Sequence, residues 1–315
     1  MKKYVILGVY FGKFPEWYDF WEQSAVKNVN IDYIIFTNNI RKNKSNVFYY
    51  NFTLKEFNLL ASQKLGMKIE IQNYYKLCDF KIVYGKIFGD YIMNYNYWGH
   101  CDFDLIFGDI FHFINKFNIN EYDKFLPLGH LSFYRNCESV NNYYLNYDNY
   151  PKSYKNIFTS NNFFAFDEIG MIEVYEKGDF PFFKERIFAE INQRYKRFKL
   201  NKKDKNYKHQ LFYYEDGKIF MAYLENHEIK INEFMYLHFQ NRKFNEIGKV
   251  GRYFYITYNG FIPKEKGIPN IETIKALNKY KGLWYEKCEI VKFNFSSKFR
   301  KIGHFILINL HIRKE

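Results

Sequence analysis

The run of residues 97–109, YWGHCDFDLIFGD, is the stretch of the sequence that most strongly suggests chemistry. In a regular strand Asp102 and Asp104 would share one face, and Phe103 between them would point back into the core. At a strand end the two carboxylates can be presented together to one hard cation. Mg²⁺ and Mn²⁺ prefer oxygen ligands and commonly share them with substrate phosphates. An Asp-x-Asp pair often arises by chance, but its place between two apolar runs argues against an ordinary solvated turn.

Strands and helices alternate over the first third of the chain, as they do in βαβ units. Two short apolar runs, Tyr4–Tyr10 and Ile31–Thr37, are typical of parallel strands buried on both faces. Helices are expected over residues 16–26, behind a proline, over residues 53–65, from a threonine cap, and from 74 to about 95. This alternation predicts an α/β protein with an open sheet, whose ligands lie beyond the carboxyl ends of the strands.

The order is less regular in the rest of the chain. Further strands are expected near residues 97–106, 125–134, 219–224 and 233–239, and a helix is expected over residues 185–200. No internal repeat and no linker rich in Gly, Ser or Pro marks a domain boundary. Residues 293–315 differ in kind, because Phe, Ile and Leu are mixed there with Lys298, Arg300, Lys301, Arg313 and Lys314.

Length and composition bound the class of protein. The chain has 315 residues, 47% of them apolar and 26% charged, which is enough for a large folded core in one or two domains. Its net charge of +13 favours an anionic partner, such as nucleic acid, a phosphorylated substrate or an acidic membrane surface. Four cysteines without a CxxC pattern indicate neither a zinc site nor a disulfide framework, and they fit a reducing cytosol. No apolar run of about 18 residues predicts a membrane span.

Several short motifs follow one another along the chain. They are residues 10–15 (YFGKFP), 35–38 (IFTN), 75–81 (YKLCDFK), 98–109, 129–136 (GHLSFYRN), 166–168 (FDE) and 238–243 (HFQNRK). Over roughly residues 4–245 this ordered set resembles a family of bacterial glycosyltransferases that build cell-surface polysaccharides of capsule and O-antigen type. Many members of that family have no assigned function. The resemblance implies a GT-A-like nucleotide-sugar-binding fold, with a mixed but mostly parallel central sheet flanked by helices.

The resemblance also implies a nucleotide-sugar donor bound across the strand ends, with Asp102 and Asp104 in the metal-binding role. The ion, Mn²⁺ or Mg²⁺, would stabilise the charge that develops on the leaving phosphate when the sugar–diphosphate bond breaks. The other residues expected around the donor are Tyr10, Phe11 and Gly12 at the end of the first strand, Thr37 and Asn38 beside the base or ribose, and Lys76 and Asp79. His130, Arg135 and Asn136 are candidates for binding the donor or the acceptor.

Two further predictions concern the metal and the acceptor. His238 ends an expected strand, where a neutral imidazole would be a third metal ligand. Asp167 and Glu168 follow an apolar run, and one of them would be the general base that deprotonates the acceptor hydroxyl if the enzyme inverts configuration. Because adjacent carboxylates point in different directions, only one is expected to face the acceptor, and Asp167 is the preferred candidate.

Three other classes of protein compete with this interpretation. A nucleic-acid-binding protein would use the basic charge and the many aromatic residues, and the densest basic segment is residues 194–208, but no recognisable binding motif accompanies it. A phosphatase with an Asp-x-Asp nucleophile would have a small or hydroxyl residue where Leu105 stands. A non-catalytic sugar-binding module would not need the paired carboxylates.

The sequence therefore predicts a metal-dependent glycosyltransferase, with a catalytic domain over residues 1–245 and an extension over residues 246–315. It would transfer a hexose, with galactose in pyranose or furanose form as one candidate, from a UDP-sugar to a surface polysaccharide or lipid-linked glycan. Nucleic-acid binding is the alternative function. Residues 296–312 can be drawn as a basic amphipathic helix, which would hold a cytoplasmic protein at an anionic membrane surface.

Overall fold

The computed structural model describes residues 3–149, 152–201, 205–240, 242–249 and 251–295. The chain divides into two compact units, Met1–Phe188 and Ala189–Glu315. The boundary expected after residue 245 differs from this division, because strand Tyr253–Ile256 pairs with strand Gln210–Glu215 in one sheet. The amphipathic helix expected over residues 296–312 lies outside the described residues. No helix among the described residues is long and apolar enough to cross a membrane.

A mixed, mostly parallel sheet of seven strands forms the centre of the first unit. The strands of this unit are β1 Tyr4–Tyr10, β2 Ile31–Thr37, β3 Val47–Asn51, β4 Tyr97–Cys101, β5 Leu105–Phe107, β6 Lys124–Phe125, β7 Leu131–Arg135, β8 Asp148–Asn149, β9 Lys152–Ser153 and β10 Phe182–Phe183. The order across the sheet is β10-β6-β7-β4-β1-β2-β3, in which β7 runs antiparallel to β4 and β6 and the other pairs are parallel. The expected α/β class and mostly parallel sheet are therefore confirmed.

Helices connect these strands. They are α1 Tyr18–Lys27, α2 Leu54–Leu65, a 3₁₀ helix Tyr74–Val83, α3 Tyr84–Ile87, α4 Gly89–Ile92, α5 Ile110–Lys116, 3₁₀ turns Ile119–Glu121 and Tyr143–Asn146, α6 Glu138–Asn141, α7 Tyr154–Thr159, a π-helical turn Phe166–Gly170 and α8 Met171–Lys177. α2 begins at the expected threonine, because the Thr53 hydroxyl accepts from the amide of Glu56 and the Glu56 carboxylate accepts from the amide of Thr53. The expected helix over residues 74–95 is instead three short helical pieces.

The second unit is built on an antiparallel sheet with one parallel pair at its edge. Its elements are β11 Ala189–Glu190, β12 Gln210–Glu215, β13 Lys218–Glu225, β14 Glu228–Phe234, β15 Tyr236–His238, β16 Glu246–Ile247, β17 Tyr253–Ile256, β18 Gly260–Pro263, α9 Ile271–Leu277 and a helix over residues 283–295. The six-stranded sheet has the order β14-β13-β12-β17-β18-β16. β11 pairs separately with β15.

The helix expected over residues 185–200 is wrong. Its middle forms a turn that brings two extended arms together, because the amide of Asn192 donates to the carbonyl of Lys199 and Ile191 forms a bridge with Leu200. The apolar residues of this segment are buried by pairing between its two extended arms. Their spacing along the sequence happens to match the period of a helix.

Candidate active site

The carboxyl ends of three parallel strands meet at one edge of the seven-stranded sheet. β1 pairs in parallel with both β2 and β4, so their last residues, Tyr10, Thr37 and Cys101, lie along the same edge. β7 runs antiparallel to β4, which brings the residue before it, His130, to this edge as well. The amide of Asp102 donates to the carbonyl of His130 at 2.9 Å. This is the edge where ligands of open α/β sheets bind.

The Asp-x-Asp pair lies in the bend that follows β4. Phe103 is buried, as expected, with its ring centroid 5.1 Å from those of both Tyr10 and Trp21. The Trp21 indole donates to the carbonyl of Asp102 at 3.1 Å, which fixes the backbone of the bend. A carboxylate oxygen of Asp102 lies within 4.8 Å of one of Asp104. The bend therefore brings two hard oxygen ligands close enough to share one cation.

Lys81 joins the Asp102 carboxylate to a second, buried carboxylate. Its ammonium donates to Asp102 Oδ1 at 2.5 Å, to the Gly129 carbonyl at 3.1 Å and to Asp167 Oδ2 at 3.2 Å. Burial alone would lower the pKa of Lys81, but the charges of Asp102 and Asp167, with the Cys78 thiol, hold this pKa well above its usual range. Lys81 is therefore a permanently charged bridge between the two aspartates.

Asp167 lies in the π-helical turn and is the carboxylate that reaches this cluster. Burial raises the pKa of Asp167 to about 6, against the opposing charge of Lys81 and with the help of Asp102 and Glu168. The Asp167 carboxylate pairs with Lys81 at 3.2 Å, and its neighbour Glu168 is half-buried. A carboxylate that titrates near neutral pH is suited to taking up a proton during a reaction.

Gly129 allows the close approach of Asp167. A Cβ atom at this position would lie 2.2 Å from Asp167 Oδ2 and 2.6 Å from its Cγ. Any side chain here would displace the carboxylate from Lys81, so the absence of a side chain is a requirement of the site.

A second lysine lies fully buried behind the cluster. Lys124 donates to the Leu126 carbonyl and to Ser132 Oγ, the latter at 3.1 Å, and so holds a turn in which Leu126 has φ of 78°. Burial lowers the pKa of Lys124 to about 7, although Asp167 and Glu168 act in the opposite direction. This lysine braces the backbone that leads to Gly129.

The ends of β1 and β2 carry the residues that the sequence predicts around a nucleotide. Gly12 has φ of +90°, and its amide donates to Asn38 Oδ1 at 2.9 Å. Asn39 donates from Nδ2 to the Gly12 carbonyl at 2.6 Å and to Thr37 Oγ1 at 2.9 Å. Thr37 is fully buried, so it orders the loop rather than facing a ligand. Burial, with the charge of Asp104, raises the pKa of Tyr10, so its phenol stays protonated and is a hydrogen-bond donor beside the Asp-x-Asp bend.

Exposed aromatic rings stand next to this edge. The ring of Tyr74 packs against Phe11 with a centroid distance of 5.9 Å, and Tyr75 meets Phe163 edge-on at 4.7 Å. Tyr74, Tyr75 and Phe163 are exposed. Burial raises the pKa of Tyr75. The charges of Cys78, Asp102 and Asp167 raise this pKa further, because they lie near the Tyr75 phenol.

Lys76 and Asp79 take a different role from the expected one. Both side chains are fully buried, with Lys76 Nζ 2.8 Å from Asp79 Oδ2. Lys76 also donates to the carbonyls of Ile157 and Asn162, and Asp79 accepts from the amides of Phe164 and Phe166. Their contacts hold residues 157–166, the segment that leads into Asp167, and leave neither side chain exposed to a donor.

Arg135 and Asn136 lie away from the cluster. Arg135 ends β7 and pairs in register with Tyr97, the first residue of β4, so it stands at the opposite edge of the sheet. Its guanidinium donates to Asp123 Oδ1 at 2.9 Å. Asn136 donates to the carbonyls of Ile92 and Tyr95. The expectation that these two side chains join the donor site does not agree with the antiparallel direction of β7.

His130, in contrast, is buried at the carboxyl edge against Phe188, with 4.9 Å between the rings.

His238 is the last residue of β15 in the second unit, in register with Glu190 of β11. Its role as a third metal ligand stays a prediction. The basic segment over residues 194–208 belongs to the same unit, and residues 194–201 of it contain no helix. Within it, Arg197 and Lys199 both pair with Glu286, at 3.1 Å and 2.8 Å. Part of its positive charge is therefore neutralised inside the unit.

Sequence reasoning missed Lys81, Gly129 and Lys124. Lys81 stands in the apolar run Phe80-Lys-Ile-Val83, and a lysine in such a run has to find a buried partner. That signal could have marked Lys81 as unusual. Its partners come from residues 102 and 167, and only the fold brings these together.

One protein family matches the sequence over residues 6–265, and it is described as a family of unknown function (DUF6625). The match covers more than half of the chain and includes all the residues of the cluster. No curated protein matches the sequence.

Proposed function

We propose that this chain, which belongs to the DUF6625 family, is a metal-dependent glycosyltransferase whose first unit has a GT-A-like fold. It transfers a hexose from a nucleotide-diphosphate sugar, with UDP-sugars as the first candidates, to a surface polysaccharide or lipid-linked glycan. Galactose, as pyranose or furanose, is the first sugar to test.

The observation that carries this proposal is the charge cluster Asp104, Asp102, Lys81 and Asp167 at the carboxyl edge of a parallel sheet. Transfer from a sugar diphosphate needs positive charge where the leaving phosphate forms and a base near the acceptor hydroxyl. The cluster contains residues for both tasks, with Asp102 and Asp104 for binding a cation and Asp167 as the base. The nucleotide base and the sugar would lie beside it, next to the glycine turn at Gly12 and the exposed rings of Tyr74 and Tyr75.

Asp102 and Asp104 are the residues that would hold the ion. Their carboxylate oxygens are hard donors of the kind that Mg²⁺ and Mn²⁺ prefer, and the Asp102 side chain is 30% exposed, which leaves a path from solvent. Bound there, the ion would neutralise the charge that builds on the diphosphate leaving group. The carboxylate oxygens of Asp102 and Asp104 therefore fit the Mn²⁺ or Mg²⁺ that the sequence pattern implies.

Asp167 is the proposed base, and Lys81 positions it. The ammonium of Lys81 holds Asp167 Oδ2 at 3.2 Å, and the absence of a side chain at Gly129 leaves the space that this oxygen occupies. With a pKa of about 6, Asp167 is mostly ionised at pH 7 and can accept the proton of an acceptor hydroxyl. This assignment corresponds to an inverting transfer.

Release of UDP from a panel of UDP-sugars, with Mn²⁺ or Mg²⁺ and with a chelator, tests the proposal. Asp102→Asn and Asp104→Asn should each lower turnover by about a hundredfold or more, because leaving-group stabilisation is lost. Asp90→Asn is the matched control, since Asp90 is an exposed carboxylate paired with Lys64 in the same unit. We expect this control to keep the activity of the unmodified protein.

Two results would contradict the proposal. One is turnover by both aspartate variants in the presence of chelator at the rate of the unmodified protein. The other is tight, salt-sensitive binding of nucleic acid together with no binding of any nucleotide sugar, which would favour the alternative function.

A further inference from the structure

The positive charge of this protein is distributed very unevenly between its two units. Residues 1–188 contain 21 Lys and Arg against 21 Asp and Glu, whereas residues 189–315 contain 26 against 13. The second unit therefore carries the whole net charge of +13. The candidate active site needs none of this excess, because its charged residues lie in the balanced first unit. The excess is therefore available to another anionic partner.

The helix over residues 283–295 combines this charge with exposed apolar side chains. Leu283, Trp284 and Val291 are 69%, 76% and 66% exposed. At 100° per residue they fall on one face together with Lys287. The opposite face is turned inward, because Glu286 pairs with Arg197 and Lys199. A helix with an apolar outer face and flanking lysines is the form that lies in the surface layer of a membrane.

The beginning of this helix carries a basic recess. This shallow recess is lined by Lys196, Lys279, Lys281, Tyr258 and Tyr285, and also by Arg197 with Glu286 and Glu289 of the helix. Glu286 is already neutralised by its two basic partners. Three lysines are therefore grouped at the end of the helix that bears Trp284, where the phosphate of a lipid headgroup would meet them.

We propose that the helix over residues 283–295 docks on an anionic lipid bilayer, with Trp284, Leu283 and Val291 in the headgroup layer and the lysines against lipid phosphates. Charge complementarity decides between this occupant and two others. Nine Lys and Arg against three Glu occupy residues 279–315, so the chain's own last residues would bring more positive charge to a positive face. A second copy would place Lys287 against Lys287, and three side chains expose far less than the roughly 800 Å² per partner of a stable dimer.

The test uses the full chain and vesicles of phosphatidylcholine, with and without phosphatidylglycerol. We expect co-sedimentation with the mixed vesicles, little with phosphatidylcholine alone, and a marked loss when NaCl is raised to about 0.5 M. Trp284→Ser with Val291→Ser should weaken binding about tenfold or more, since the apolar contact is lost. Leu59→Ser with Met93→Ser is the matched control, because these residues are 72% and 75% exposed in the first unit. Lys281→Glu with Lys287→Glu should weaken binding as much as the apolar variant does.

Tryptophan fluorescence gives a second, independent measurement. Trp284 is exposed, whereas Trp21 and Trp98 are buried and Trp17 is half-buried. Mixed vesicles should therefore shift the emission to the blue and protect it from acrylamide, and Trp284→Phe should remove most of this response. Unchanged binding by the Trp284 and Val291 variant, or no binding by the unmodified protein, would overturn the proposal. So would a Trp284 already shielded from acrylamide without vesicles, because another occupant would then cover the face.

Discussion

Lys81 is the residue that pairs with two carboxylates of the candidate site. Its side chain is 8% exposed, and its ammonium is shared between Asp102 and Asp167, whose side chain is 6% exposed. In Lys81→Met the two carboxylates would face each other without a cation. Because removal of one partner from a buried ion pair is costly, we expect a loss of about 3 kcal/mol in the free energy of unfolding at pH 7. Urea unfolding measures this loss. Lys86→Met is the control, because it removes only a half-buried hydrogen bond to Asn142.

The pH dependence of this loss has a definite sign. Without Lys81 the pKa of Asp167 would rise above about 6, so acid would neutralise the stranded carboxylate. The destabilisation by Lys81→Met should therefore shrink as pH falls from 7 to 5, and Asp167→Asn in the same chain should also reduce it. If Lys81→Met lowers the free energy of unfolding equally at pH 7 and pH 5, the proposed role of Lys81 between Asp102 and Asp167 is contradicted.

Asp167 determines the expected pH profile of transfer. Its pKa is raised to about 6, so the ionised form that can act as a base is lost as pH falls through that value. Transfer should fall about tenfold per pH unit below it, and Asp167→Asn should lower transfer by about 10²–10⁴-fold with little effect on donor binding. Glu168→Gln is the neighbouring control. If it alone abolishes transfer, the roles of the two carboxylates are reversed.

At the scale of elements, the turn that contains Gly129 sets the position of Asp167. In Gly129→Ala the new Cβ would overlap Asp167 Oδ2, which would force the carboxylate away from Lys81. We expect transfer to fall by about tenfold or more and the free energy of unfolding to fall by about 1–3 kcal/mol, as for other overpacked sites. Gly89→Ala is the matched control, since no atom lies within 4 Å of a Cβ there. Kinetics and urea unfolding of the two variants, side by side, measure the difference.

Local sequence signals predicted the elements that depend on local physics. Apolar runs identified β1 and β2, and the capping box identified the beginning of α2. The helix expected over residues 185–200 failed, because the pairing of Ile191 with Leu200 outweighs helical spacing. The 3₁₀ form of Tyr74–Val83 also has no clear local signal.

The same distinction holds within the candidate site. The preference for Asp167 over Glu168 as the base stays a prediction. The Asp-x-Asp bend was predictable, because a strand end positions it locally. The Lys81 bridge was not, because it joins residues 81, 102 and 167 from three separate elements. Arg135 was misplaced because the sequence alone does not give the direction of β7.

At the scale of the whole molecule, the division into two units predicts partial independence. The seven-stranded sheet and its main apolar cluster lie entirely within residues 1–188. We therefore expect residues 1–188, expressed alone, to fold with a cooperative thermal transition and near-UV dichroism from buried Trp21 and Trp98. A broad transition without near-UV signal would mean that the first unit needs the second to complete its core.

The pairing of Asp102 with Lys81 has a consequence for the order of assembly. A divalent ion arriving alone would meet a carboxylate whose charge is already balanced by an ammonium 2.5 Å away. A diphosphate brings several negative charges and would restore the attraction for both cations. If the chain binds both as proposed, we expect metal and nucleotide to be thermodynamically coupled, each raising the affinity of the other by the same factor. The protein should fold without its metal and acquire it together with the donor.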